Sequence, residues 1–130
     1  MSTFDGFLVR LLNDARSNAK RAGRVLSLSI DDLHLIYEKQ QGKCALTGMP
    51  MTTIASASAS DAEPSWNIAI SRVNPLGGFS CDNVQLVGSV VNRMRHDLPH
   101  HVFADICRRI VNHVQTHPDT LENKGTVTFD

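Results

Sequence analysis

The chain has 130 residues, one domain's worth of polypeptide and enough to bury roughly two-thirds of its unfolded surface. With 42% hydrophobic and 20% charged residues it has the composition of a folded domain, which excludes a disordered, collagenous or disulfide-framework chain. Thirteen basic and thirteen acidic side chains cancel, so a nucleic-acid partner could be met only through local clustering, not through a long-range field.

Taken from the N-terminus, Phe4, Phe7, Leu8, Leu11 and Ala15 keep the spacing of an amphipathic helix, with Ser2 or Thr3 placed to cap it and Gly23 to end it. Its last turns carry Arg16, Lys20, Arg21 and Arg24, a cluster that suits phosphate contact or simply a solvated helix C-terminus. Val25 to Ser29 predicts a short strand. Ser29 followed by Asp32 is a capping signal for a helix that turns Ile30, Leu33, Ile36 and Tyr37 inward and ends at Gly42. Thr52 to Ser65 is small and polar and reads as a flexible surface loop. Asn67 to Val73 alternates as a strand should, and Asn83 to Val87 supplies a second after the turn-rich PLGGFSCD segment, so the two predict a hairpin. Ser89 is placed to cap a helix containing Val90, Val91, Asn92 and Met94, and Pro99 stands where the next begins. That last helix is the most periodic element, with Phe103, Ile106, Cys107, Ile110 and Val114 on one face before His117-Pro118; residues 119–130 read as a tail.

Cys44, Cys81 and Cys107 are odd in number and never form a C-x-x-C unit, so the sequence encodes neither a disulfide scaffold nor a structural zinc site and suits a reducing cytoplasm. Charges at Asp5, Arg10, Asp14 and Arg16 interrupt any secretory signal, and no run approaches the roughly 20 apolar residues of a membrane span. The expectation is a cytoplasmic protein with no membrane partner.

The block from Trp66 to Asn92, WNIAISRVNPLGGFSCDNVQLVGSVVN, joins a tryptophan-led strand ending in Arg, an Asn-Pro turn, a Gly-aromatic pair, Asp-Asn, an apolar strand and a helical Asn. Upstream, QQGKCALTGMPM from Gln40 to Met51 provides a Gln-x-Gly-x-Cys-x-x-Thr-Gly segment. Together these resemble the HNH endonuclease superfamily, especially an acidic-Arg subgroup of phage and mobile-element proteins. The resemblance implies an α+β fold with a ββα-metal core, a hairpin plus helix, flanked by N- and C-terminal helices. It also implies one domain over 1–118 with its core at about 40–97. The implied chemistry is hydrolysis of a DNA phosphodiester by water, with Mg²⁺ or Mn²⁺ stabilising charge on the phosphate.

Where that family usually places a carboxylate ligand and a histidine base, this chain has Ser71 and Arg72. Arg72 cannot be a base at neutral pH but can hold phosphate by a forked contact, and Ser71 is a poor ligand for a hard dication. The resemblance then rests the metal on Asn83 and Asn92, with Asp61, Glu63 or Asp82 available to compensate. Ser71, Arg72, Asn83 and Asn92 are the implied catalytic set. Arg72, Arg93, Arg95, Lys20, Arg21 and Arg24 are the candidate nucleic-acid contacts.

Outside this block, His96, His100 and His101 read as a polar turn around Pro99 that could supply a displaced base, and His113 and His117 as solvent-facing imidazoles. Cys44 is expected to pack near the hairpin base. Three functions follow: a metal-dependent DNA endonuclease, a nucleic-acid-binding protein derived from one, or a protein-binding inhibitor or effector on the same scaffold. The expected partner is DNA, held weakly, or a host protein.

Overall fold

The computed structural model describes residues 3–54 and 64–121. Within them lie α1 (Thr3–Ala22), α2 (Ile30–Lys39), β1 (Ile68–Arg72), β2 (Val84–Gly88), α3 (Ser89–Arg95) and α4 (His100–Thr116), followed by a 3-10 turn at Pro118–Leu121. Among the described residues the fold is α+β: four α-helices and a two-stranded antiparallel sheet. Asp61 and Glu63, most of the predicted loop, and the tail beyond Leu121 lie outside the described residues. No helix among the described residues is long and apolar enough to cross a membrane.

The apolar stripe of α1 buries Phe7, Leu8, Leu12, Ala15 and Ala19, and the helix ends where Gly23 takes a φ of 66°. A capping box starts α2: the Asp32 amide donates to Ser29 Oγ at 3.1 Å, and the Ser29 amide to Asp32 Oδ2 at 2.9 Å. A cap of this kind is worth about 1 kcal/mol. The chain leaves α2 through Gln41 and Gly42, both left-handed, and a Cβ on Gly42 would sit 2.9 Å from the Tyr37 hydroxyl. Gln40 then acts as a staple. Its Nε2 donates to Leu86 O at 2.8 Å while its Oε1 accepts from Leu86 N at 3.0 Å, so one amide side chain pairs with β2 as a further strand residue would. The Ala45 amide adds a third bond to this strand at Leu86 O, and Cys44 is buried beside it.

Val25 to Ser29 is not a strand. Leu26 makes an isolated parallel bridge to Phe79, through Phe79 N to Val25 O and Ser27 N to Phe79 O, both 2.8 Å. Its partner is the inter-strand loop, which offers a two-bond contact and no ladder. Gly78 permits the approach, since a Cβ there would lie 2.6 Å from Val25 O.

The predicted hairpin is present, in the register Ile68↔Gly88 to Arg72↔Val84. Asn67 falls outside it because its backbone N–H turns back to Pro64 O and it bridges Thr52 instead, while its side-chain amide accepts from Thr52 Oγ1 and Ile54 N and donates to Ile54 O. Ser89 is not the cap of α3 either. Gly88 holds that position, and Ser89 Oγ donates to Pro64 O and Ser65 O, tying the start of α3 to the segment before β1.

Leu8, Leu33, Ile68, Leu86 and Val87 are fully buried where α1, α2 and the hairpin meet, each worth about 2 kcal/mol of transfer free energy. Pro99 is the N-cap of α4 as predicted, but the apolar face of that helix is not core. Phe103 packs only in part, His100 is the one buried residue, and Ile106 and Ile110 are 39% and 56% exposed.

Candidate phosphate-binding cleft

Arg72 closes β1 and is held in place by the loop that follows. Its Nη1 donates to Pro75 O at 2.8 Å and Gly77 O at 3.1 Å, and its guanidinium lies 4.7 Å from the centre of the Phe79 ring. Asn83 shapes that loop: Oδ1 accepts from Asn74 N at 3.0 Å, and Nδ2 donates to Asn74 O and Gly78 O. Asn83 thus braces the loop at Asn74 and Gly78, on either side of the Pro75 and Gly77 carbonyls that hold Arg72. The remaining N–H groups of Arg72, on Nε and Nη2, have no hydrogen bond among the described residues.

Arg95, at the end of α3, is only 6% exposed. Its Nη1 donates to Leu98 O at 2.7 Å, its Nη2 lies 3.4 Å from Asn92 Oδ1, and its buried Nε has no partner. Among the described residues neither Arg72 nor Arg95 has a carboxylate at ion-pair distance. Burial lowers the pKa of both guanidinium groups. Arg24 lowers that of Arg72 further and Arg72 that of Arg95, with Asp97 acting weakly the other way. Both remain charged at neutral pH because a guanidinium is far too basic to lose its proton there. They line one cleft between α1, β1 and α3, together with Asn92 and His96 from the α3 side and Asp14 and Asn18 from α1. His96 ends α3 with φ 52° and ψ −117°, a strained backbone for a residue with a Cβ.

Ser71 does not join this cleft. Successive strand side chains point to opposite faces, and Ser71, 1% exposed, meets His100 Nε2 at 3.0 Å. His100 is therefore a buried partner of the sheet and not part of a polar turn, and burial followed by the nearby Arg95 charge lowers its pKa. Gln85, directly across from Ser71 in the hairpin, leaves its Oε1 buried without a partner. His96 is exposed and 3.3 Å from Asp97, and His113 and His117 are exposed and stacked at 4.1 Å.

The remaining sequence candidates scatter. Asn83 and Asp82 do not line the cleft, and Asp82 accepts from Ser80 Oγ at 2.5 Å in an exposed turn. Lys20, Arg21, Arg24 and Arg93 are exposed, with Arg21 bonded to Asn18. Asn92 is in the cleft, but its oxygen faces the Arg95 guanidinium. This donor set does not fit Mg²⁺ or Mn²⁺. Ser71 Oγ is turned away to an imidazole, Asn83 Oδ1 serves the loop, and Asn92 Oδ1 shares its surroundings with a fixed cation that would repel another. Sequence reasoning passed over Asp14 and Asn18; their i, i+4 spacing, flanked by the core stripe of α1, was the available signal. Comparison with protein-family models, curated proteins and solved structures gave no match.

Proposed function

We propose that this chain binds the phosphate backbone of nucleic acid in the α1–β1–α3 cleft and does so without a resident metal ion, as a catalytically degenerate HNH-like protein. The hairpin followed directly by α3 is then the ββα unit that the Trp66 to Asn92 motif suggests, with guanidinium groups standing where hydrolytic relatives would concentrate metal charge. Arg95 carries the reading. A cation nine-tenths buried, with an unpartnered Nε and no carboxylate at ion-pair distance, is costly in the free protein, and an anion beside it would recover part of that cost. Arg72, stacked and clamped but with three N–H groups to spare, supplies a pre-oriented fork for phosphate oxygens. Asp14 at the cleft wall opposes an anion, so affinity is modest and strongly salt-dependent.

The reading is tested by fluorescence anisotropy with a short labelled duplex at low salt. Binding is expected to persist in EDTA and to be no tighter in Mg²⁺, which competes for the phosphates, with no nicking of plasmid in either. Asp14→Asn should tighten binding about threefold by removing one opposing charge. Mg²⁺-dependent cleavage that Asn92→Ala abolishes would overturn the proposal in favour of hydrolysis.

A further inference from the structure

The cleft between α1, β1 and α3 carries more chemistry than a phosphate can use. Arg72 and Arg95 make it cationic on the β1 and α3 sides, whereas the α1 wall presents Asp14 and Asn18. Leu11, Ile70 and Phe79 add apolar surface, which suits the face of a base and not a phosphate. The volume is about 320 Å³, at the small end of the roughly 300–1,000 Å³ of sites that enclose one small ligand. A duplex is too wide to enter and meets such a cleft with its phosphates, because its base edges are turned inward and paired. We propose that the cleft holds one unpaired guanine nucleotide, its phosphate on the two arginines and its Watson–Crick edge on Asp14 and Asn18. The proposal rests on the phosphate reading above and adds the base.

Asp14 and Asn18 lie one turn apart on α1, so their side chains stand side by side. Asn18 Oδ1 accepts from Arg21 Nη2, which leaves Nδ2 as the atom this amide has to donate. Asp14 Oδ2 is 3.9 Å from Arg10 Nη1, too far for a hydrogen bond. The wall therefore sets an amide donor beside a carboxylate acceptor. Guanine is the base whose free edge answers both: N1–H and N2–H are adjacent and donate together to one carboxylate, and the neighbouring O6 accepts from an amide N–H. Adenine and cytosine bring one amino group and one ring nitrogen, hence a single donor for the carboxylate. Uracil and thymine turn a carbonyl oxygen toward the second carboxylate oxygen and are repelled. Asp14 thus acts with opposite sign on two kinds of ligand, opposing phosphates when the bases are paired and holding the base when guanine is free.

The test reads that sign. The full chain is titrated at low salt with 5′-GMP, 5′-AMP, 5′-CMP and 5′-UMP, followed by NMR, and anisotropy compares a labelled duplex with a labelled thymidine strand carrying one guanine. GMP should bind at least tenfold more tightly than the other three. A guanine strand that binds better than GMP assigns the ligand to single-stranded nucleic acid, and the reverse assigns it to a free nucleotide. Asp14→Asn should reduce the guanine preference to about twofold while duplex binding tightens. Asn18→Ala, which leaves net charge unchanged, should weaken GMP several-fold and UMP by less than twofold. Both positions are exposed, so circular dichroism should be unchanged in each variant. Four nucleotides of equal affinity, all weakened by Arg72→Gln, would overturn the guanine assignment and leave the phosphate reading standing. A GMP preference that survives Asp14→Asn would overturn it too, and failure of every nucleotide and of the duplex to bind would overturn both readings.

Discussion

Replacing Asn83 separates a loop-shaping amide from a metal ligand. In Asn83→Ala three side-chain hydrogen bonds are lost, two of them exposed and one part-buried. Allowing about 0.5 kcal/mol for each exposed bond and about 1 kcal/mol for the part-buried one gives a loss of about 2 kcal/mol. In a chain of this length that lowers the melting temperature by roughly 8 °C. Asn83→Asp should be worse, by about 1 kcal/mol more, because it turns the amide donor that serves Asn74 O and Gly78 O into an acceptor facing two carbonyls. A ligand role predicts the reverse order, since a carboxylate is the better partner for a hard dication. Urea denaturation of the parent and both variants, with and without Mg²⁺, decides between them. An Asn83→Asp protein as stable as the parent, or one that Mg²⁺ stabilises selectively, would refute the loop-shaping role. The same loss of loop order should loosen Arg72, so Asn83→Ala should also weaken duplex binding several-fold.

Four further outcomes follow from the polar residues around the hairpin. His100 has a folded pKa below its unfolded value of about 6.5, so the unfolded chain takes up a proton first, and stability present above that pH declines as pH falls through it. His100→Gln should flatten this part of the stability–pH curve, and an unchanged difference between parent and variant from pH 7 to 5 would reject the assignment. Ser71→Asp should place its carboxylate against His100 and raise that histidine's NMR-determined pKa. The double variant Ser71→Asp with Arg72→His should still fail to nick plasmid, because position 71 faces away from the cleft; Mg²⁺-dependent nicking by it would contradict that geometry. His96→Gly should stabilise the fold by about 1 kcal/mol in chemical denaturation by relieving its positive φ, and a loss of stability would show that the conformation carries no strain.

Local signals in the sequence were legible where local chemistry decides the outcome. The Ser29/Asp32 box, the stripe of α1, the hairpin and Pro99 ahead of α4 all follow from short-range spacing. What failed was set by contacts distant in sequence. Ser89 looks like a cap, yet its hydroxyl is claimed by carbonyls 24 and 25 residues earlier. Ser71 and Arg72 read as one site because they are adjacent, and strand alternation sends them to different neighbours, one of them His100, 29 residues on. The stripe of α4 is a true amphipathic pattern, but periodicity names an apolar face without saying which surface covers it. Arg95 is legible as a basic residue near the motif, while its burial is not: it arises from α3 crossing the hairpin and from the Leu98 carbonyl beyond the helix end.

The salt dependence of duplex binding tests the two-guanidinium cleft most directly. With about three phosphates engaged through Arg72, Arg95 and Arg24, whose charge already acts on Arg72, the slope of log affinity against log salt should lie at about −3. Arg72→Gln should weaken binding at every salt concentration and make that slope shallower by about one. Absence of binding at low salt, or an affinity indifferent both to salt and to Arg72→Gln, would contradict the account.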